Sequence, residues 1–80
     1  MPYIEMMDRV KLGEGKRPST PGELNYLVTE LISLYLKTNG TSYQVCNDVM
    51  GALTGAQAEF YRRVVAPYED SKIKENGDVY

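Results

Sequence analysis

The stretch Thr38-Asn39-Gly40-Thr41-Ser42 stands between two apolar-striped segments and limits the fold more than any other feature of the chain. Upstream of it, Thr20-Pro21-Gly22-Glu23 is a helix start: Thr20 is an N-cap, Pro21 fits the first helical position and Glu23 completes a T-x-x-E capping box. Leu24, Leu27, Val28, Leu31, Leu34 and Tyr35 follow at spacings of three and four, which makes one helical stripe. Asn39-Gly40 stops that helix, because Asn and Gly take the left-handed cap with least strain. Thr41-Ser42-Tyr43-Gln44 reads as a second capping box, and the helix after it carries Cys46, Val49, Leu53, Ala56, Phe60 and Val64 on one stripe. The link between the two helices is then only two to four residues, and a link that short folds the second helix back antiparallel.

The ends of the chain add less. Tyr3, Ile4, Met7, Val10 and Leu12 alternate with charged residues at helical spacing, so a short amphipathic N-terminal helix is expected. Gly13 to Gly22 holds three glycines and two prolines and reads as a loop. Near the other end, Pro67 lacks the N–H that would bond back to Arg63 and disfavours helical geometry at Ala66. The helix is expected to end there, or to kink and restart, with Asn76-Gly77 closing the tail. The expected fold is all-α: a single helical domain over residues 1–80, built as an antiparallel helical hairpin with a short N-terminal helix and a C-terminal helical extension after a proline break.

Eighty residues bury only a modest core, and small chains usually add a disulfide, a metal or a second subunit. One cysteine and no histidine remove the first two options. That leaves unusually good helix packing or self-association, and a homo-oligomeric bundle is expected. On a helical wheel the first stripe spans roughly 120°, and Ile32 and Leu36 fall outside it; either the hairpin partner and the short N-terminal helix cover both surfaces, or Ile32 and Leu36 face a second subunit, the placement expected here. Beside the second stripe runs a mixed line of Tyr43, Asn47, Met50, Thr54, Tyr61 and Val65, next to a Gly51/Gly55 pair. Each glycine costs roughly 1 kcal/mol against alanine inside a helix, which close approach of another helix would offset.

The formal net charge of −2 gives no reason to expect nucleic-acid binding, and residues Glu59–Tyr80 carry four basic against five acidic side chains. The N-terminus has no signal-peptide pattern, and the longest apolar run, LISLYL, is too short for a bilayer, so no membrane partner is expected. P-loop, G-x-S-x-G and G-x-G-x-x-G patterns are absent, and without histidine a general base near neutral pH is missing; no enzyme, cofactor or metal is expected. Asp48, Glu59, Glu69 and Asp70 match no carboxylate metal motif, and Cys46 on the apolar stripe reads as a core thiol. What remains is EFYRRVVAPYED, Glu59 to Asp70. Glu59 and Arg63 form an ordinary i,i+4 ion pair, whereas Arg62 points about 100° away, toward the glycine line, and is left for another partner. Seven tyrosines against one phenylalanine add flat faces with a hydroxyl, suited to interfaces and to stacking on bases.

The blocks MPYI, PGELNYLVT, SYQVCNDVMGAL and EFYRRVVAPYEDSKIKENGDVY together resemble a family of small uncharacterised proteins of bacteriophages and prophages. The resemblance covers nearly all of the chain outside the Gly13–Ser19 loop. It implies a viral origin and a helical protein at work in the host cytoplasm; it brings no catalytic residues with it. The expectation built on it is a small oligomeric binding protein, an anti-defence sponge that sequesters a host nucleotide immune signal at subunit interfaces. Arg62 or Arg63 would hold phosphate, Tyr26, Tyr61 or Tyr68 would stack on a base, and Asn25 or Asn47 would read polar edges. The alternative is a protein–protein interaction module or regulator of a host or phage protein, without a small-molecule site.

Overall fold

The computed structural model describes residues 3–80, so Met1 and Pro2 of the MPYI block lie outside the described residues. Its regular elements are α1 (Met6–Gly13), α2 (Pro21–Asn39), α3 (Tyr43–Phe60), a π turn (Tyr61–Val65) and α4 (Ala66–Asn76), with no strand among the described residues. The fold is all-helical. The chain divides into two compact units, Met1–Val45 and Cys46–Tyr80.

In the first unit the helix ends follow their local signals. Thr20 caps α2 by accepting the Glu23 N–H at 3.1 Å, and Pro21 opens the helix. At the far end Gly40 sits at φ 78 and its N–H bonds to the Leu36 carbonyl at 2.8 Å, a backbone angle that a side chain would strain. The other half of the expected box differs. The Glu23 carboxylate bypasses Thr20 and accepts instead from the Ser19 N–H at 2.9 Å, the Ser19 hydroxyl at 3.1 Å and Lys16 Nζ at 2.9 Å. Those bonds pin the Gly13–Ser19 loop onto the first turn of α2, and Glu23 is buried, at 6 % exposure. The second expected box is also corrected: α3 is capped by Ser42, whose hydroxyl accepts the Val45 N–H at 3.1 Å, not by Thr41. Helix α1 packs on α2, with the Arg9 guanidinium 5.8 Å from the Tyr26 ring centroid and Leu12 buried.

In the second unit α3, the π turn and α4 follow one another, and of the two outcomes expected at Pro67 the structure has a restart: α4 opens at Ala66 with Pro67 in its first turn, after a π turn that keeps the backbone helical. The backbone stays right-handed helical at Val65 (φ −70, ψ −50) and at Ala66 (φ −61, ψ −47). The Ala66 N–H bonds to the Tyr61 carbonyl, five residues back. Widening one turn in this way makes room for the Pro67 ring, which would clash with the Arg63 carbonyl in an α-helix. Gly77, at φ 89, ends α4 with its N–H on the Ile73 carbonyl at 2.8 Å.

The expected core stripes are not a core in this chain. The buried apolar residues are Leu12 and Val45, at 4 % and 8 % exposure. Along α2, Leu24 is 55 % and Leu31 68 % exposed; Val28, Leu34 and Tyr35 are exposed as well, and Leu27 is half-buried. Along α3 and the π turn, Cys46, Leu53, Phe60 and Val64 are exposed and Val49 is half-buried. The physical reason lies inside each unit. The α1 contact falls on the Glu23 and Tyr26 side of α2, roughly 120° from the centre of the leucine stripe at 100° per residue, and the second unit has no helix beside α3 to form a second layer.

Candidate functional site

The strongest concentration of chemistry is the π turn and the helix after it. Tyr61, Arg62, Arg63 and Tyr68 are all exposed there, within two turns of one another. Both guanidiniums meet the same carboxylate oxygen: Arg62 Nη2 lies 2.7 Å from Glu59 Oε1 and Arg63 Nη1 lies 3.8 Å from it. The expected division of the two arginines is therefore corrected. Positions i+3 and i+4 flank position i from opposite sides, so one acid reaches both. One negative charge faces two positive ones, and both arginine side chains are about 70 % exposed.

The widened turn also creates a pairing that helical periodicity hides. Tyr61 Oη donates to Glu69 Oε1 at 2.9 Å, across eight residues. In an uninterrupted α-helix those positions differ by about 80°; one extra residue in the turn brings them to within about 20° of each other. The bond to Glu69 holds the Tyr61 hydroxyl above the ordinary tyrosine value, because ionising it would place two negative charges side by side. Lys72 Nζ stands 5.5 Å from the Tyr68 ring centroid and also pairs with Glu75 at 3.2 Å. An open groove of about 500 Å³ runs along this face, lined by Tyr61, Tyr68, Glu69, Asp70, Ile73 and the tail from Gly77. A second groove of about 650 Å³ lies between Thr54 and Val65, with Phe60 and Tyr61 in its wall.

The remaining expected site residues are placed elsewhere. Asn47 is exposed on α3, fourteen residues and on the order of 20 Å of helix rise away from Tyr61. Asn25 and Tyr26 belong to the first unit. There Asn25 Oδ1 accepts from the Thr29 hydroxyl at 3.3 Å, and Tyr26 is half-buried under Arg9. Ile32 and Leu36 are half-buried. A methyl group placed on Gly51 or Gly55 would meet nothing within 4 Å.

Sequence reasoning passed over two groups. Glu69 was hidden by its i+8 spacing, and Pro67 was the available sign that the helical phase would shift. Glu23 was read as a capping-box residue, although Lys16 and Ser19 just upstream supply a cation and two donors to a buried carboxylate. Those bonds, from the Ser19 backbone first and Lys16 next, hold its carboxyl below the usual carboxylate range. Among the described residues no three Cys, Asp or Glu side chains group as a metal site, and no helix is long and apolar enough to cross a membrane.

The chain is a small all-α protein with its polar chemistry on one exposed helical stretch. It belongs to the DUF6899 family, a domain of unknown function, which matches it over residues 1–79. No curated protein and no solved structure matches it.

Proposed function

We propose that this protein is a phage-encoded, non-catalytic binding protein that works in the host cytoplasm as a homo-oligomeric bundle of helical hairpins and sequesters a nucleotide immune signal. The observation that carries the ligand class is the Arg62–Arg63 pair. Two exposed guanidiniums share one carboxylate, so Glu59 does not balance both of them, and the exposed rings of Tyr61 and Tyr68 lie within two turns, with Glu69 bonded to Tyr61. A phosphate takes an arginine fork bidentately and a nucleobase stacks on a tyrosine face. In this reading subunit interfaces assemble the pocket, to which Asn25, Asn47 and Tyr26 also contribute, with Ile32, Leu36, Gly51 and Gly55 at the contacts. The phage origin and the cytoplasmic setting rest on the sequence blocks described above. The absence of histidine from the chain supports a role in holding a ligand rather than turning it over.

The test is a melting-temperature panel with cyclic and linear nucleotides, read together with depletion of the ligand from solution. A bound nucleotide raises the melting temperature of the wild type and leaves that of Arg62→Ala unchanged. A panel with neither shift nor depletion refutes the reading.

A second reading is favoured by the groove over α4. Glu69, Asp70 and Asp78 line it with Lys72 as its cation, and it is open and shallow, which suits a basic segment of a partner protein better than a phosphate. Under that reading nucleotides leave the melt unchanged, and a defined host or phage protein is retained by the wild type but not by a Glu69→Lys, Asp70→Lys variant.

A further inference from the structure

The oligomer proposed above has contacts at Ile32, Leu36, Gly51 and Gly55, and the exposed face of α2 offers it a broader apolar surface. Leu24, Val28, Leu31 and Tyr35 recur at spacings of four, three and four, which is the a/d pattern of a two-helix seam. Leucine takes both d positions in this register and β-branched Val28 takes an a position, the assignment that suits a pair of helices. All four side chains are exposed, and so is Leu34 on their flank. We infer that this seam is covered by α2 of a second copy of the chain; the inference rests on the oligomeric reading and specifies its surface.

Three observations choose that occupant. First, among its described residues the first unit buries only Leu12 and Val45 of its apolar side chains, so the seam must be covered in every folded molecule and not only when a regulated partner arrives. Second, the rim carries no charge. The e and g positions are Asn25, Leu27, Ile32 and Leu34, while Glu30 and Lys37 lie roughly 130–150° around the helix. A foreign partner is selected by charges on those rims, and a symmetric pair without them meets no like-charge repulsion. Third, the area is that of a small interface. The five exposed side chains leave roughly 450 to 500 Å² uncovered on each copy, so a symmetric pair buries on the order of 900 to 1,000 Å², at the low end for a specific interface. Of the two residues that the sequence pattern places at the interface, half-buried Ile32 stands at an e position on its edge, whereas Leu36 lies roughly 110° around the helix from the seam.

The experiment combines particle mass with a cross-link. Light scattering of the wild type gives a multiple of 9.0 kDa, and Leu31→Glu returns it to a single chain. In a Cys46→Ser background, Leu31→Cys keeps an apolar side chain in the seam and tests the same point without a buried charge. On mild oxidation it forms a covalent dimer on a non-reducing gel. A monomeric wild type overturns both this inference and the oligomeric reading. An oligomeric wild type whose Leu31→Cys variant stays single-chain on the gel overturns this inference alone: the seam is then covered by the chain's own remaining helix or by another protein, and subunits meet elsewhere.

Discussion

Replacing Pro67 by alanine should abolish the π turn and rotate α4 against α3. The ring of Pro67 is the cause assigned to the widened turn, since its removal lets the Ala66 N–H return to the Arg62 carbonyl and residue 67 bond to Arg63. The turn then loses one residue, and Glu69 swings from about 20° to about 80° away from Tyr61. A hydrogen bond of 2.9 Å between two side-chain tips does not survive that swing. The bond is the main reason that the Tyr61 hydroxyl lies above its ordinary value of 10.0, so Pro67→Ala should bring it back there. The assay is a pH titration of ring-labelled tyrosines by NMR, in which Tyr61→Phe identifies the resonance. Glu69→Gln serves as the positive control, removing the charge while leaving the turn intact. Proline costs about 3 kcal/mol against alanine in a regular helix, so the variant should gain stability by less than that amount, because the π turn already relieves part of the clash. An unchanged Tyr61 titration in Pro67→Ala, alongside a lowered one in Glu69→Gln, refutes the reasoning. The turn would then be held by something other than the proline ring.

Three further outcomes are expected. Thr20→Ala removes the oxygen that accepts the Glu23 N–H and should cost about 1 kcal/mol, a fall of roughly 4–8 °C in melting temperature for a chain of this size; an unchanged melt contradicts it. Because the Glu23 carboxyl is held below its unfolded value, its contribution is present above the ordinary carboxylate range and disappears as pH falls through the folded value. Wild type should therefore lose melting temperature on acidification more steeply than Glu23→Gln, and parallel curves refute this. Gly51 and Gly55 lie opposite the apolar stripe of α3, in open space. With the glycines at subunit contacts as proposed, the Gly51→Ala, Gly55→Ala double variant should lower the particle mass; an unchanged mass together with a gain of about 1–2 kcal/mol in stability refutes that placement.

The local signals in this sequence determined the helices. Thr20, Pro21, Asn39-Gly40 and Asn76-Gly77 set ends that the structure reproduces, because a cap is a bond between groups three or four residues apart. Even there the partner could move: Ser42 replaces Thr41, and Glu23 reaches Ser19, since neighbouring oxygens and N–H groups compete for the same bond. The polar stretch was legible in part. Tyr61, Arg62, Arg63 and Tyr68 stood out as residue types, but the sharing of Glu59 and the Tyr61–Glu69 bond depend on the phase of the helix, which the π turn shifts. Which apolar face is covered was beyond the sequence altogether. A stripe at helical spacing says that a side of the helix avoids water and leaves open what will cover it. The tertiary structure put α1 against the Tyr26 side of α2 and left Leu24, Val28, Leu31 and Tyr35 exposed. Helix ends were settled by bonds within one turn, whereas burial required a second layer, and each unit by itself does not contain one.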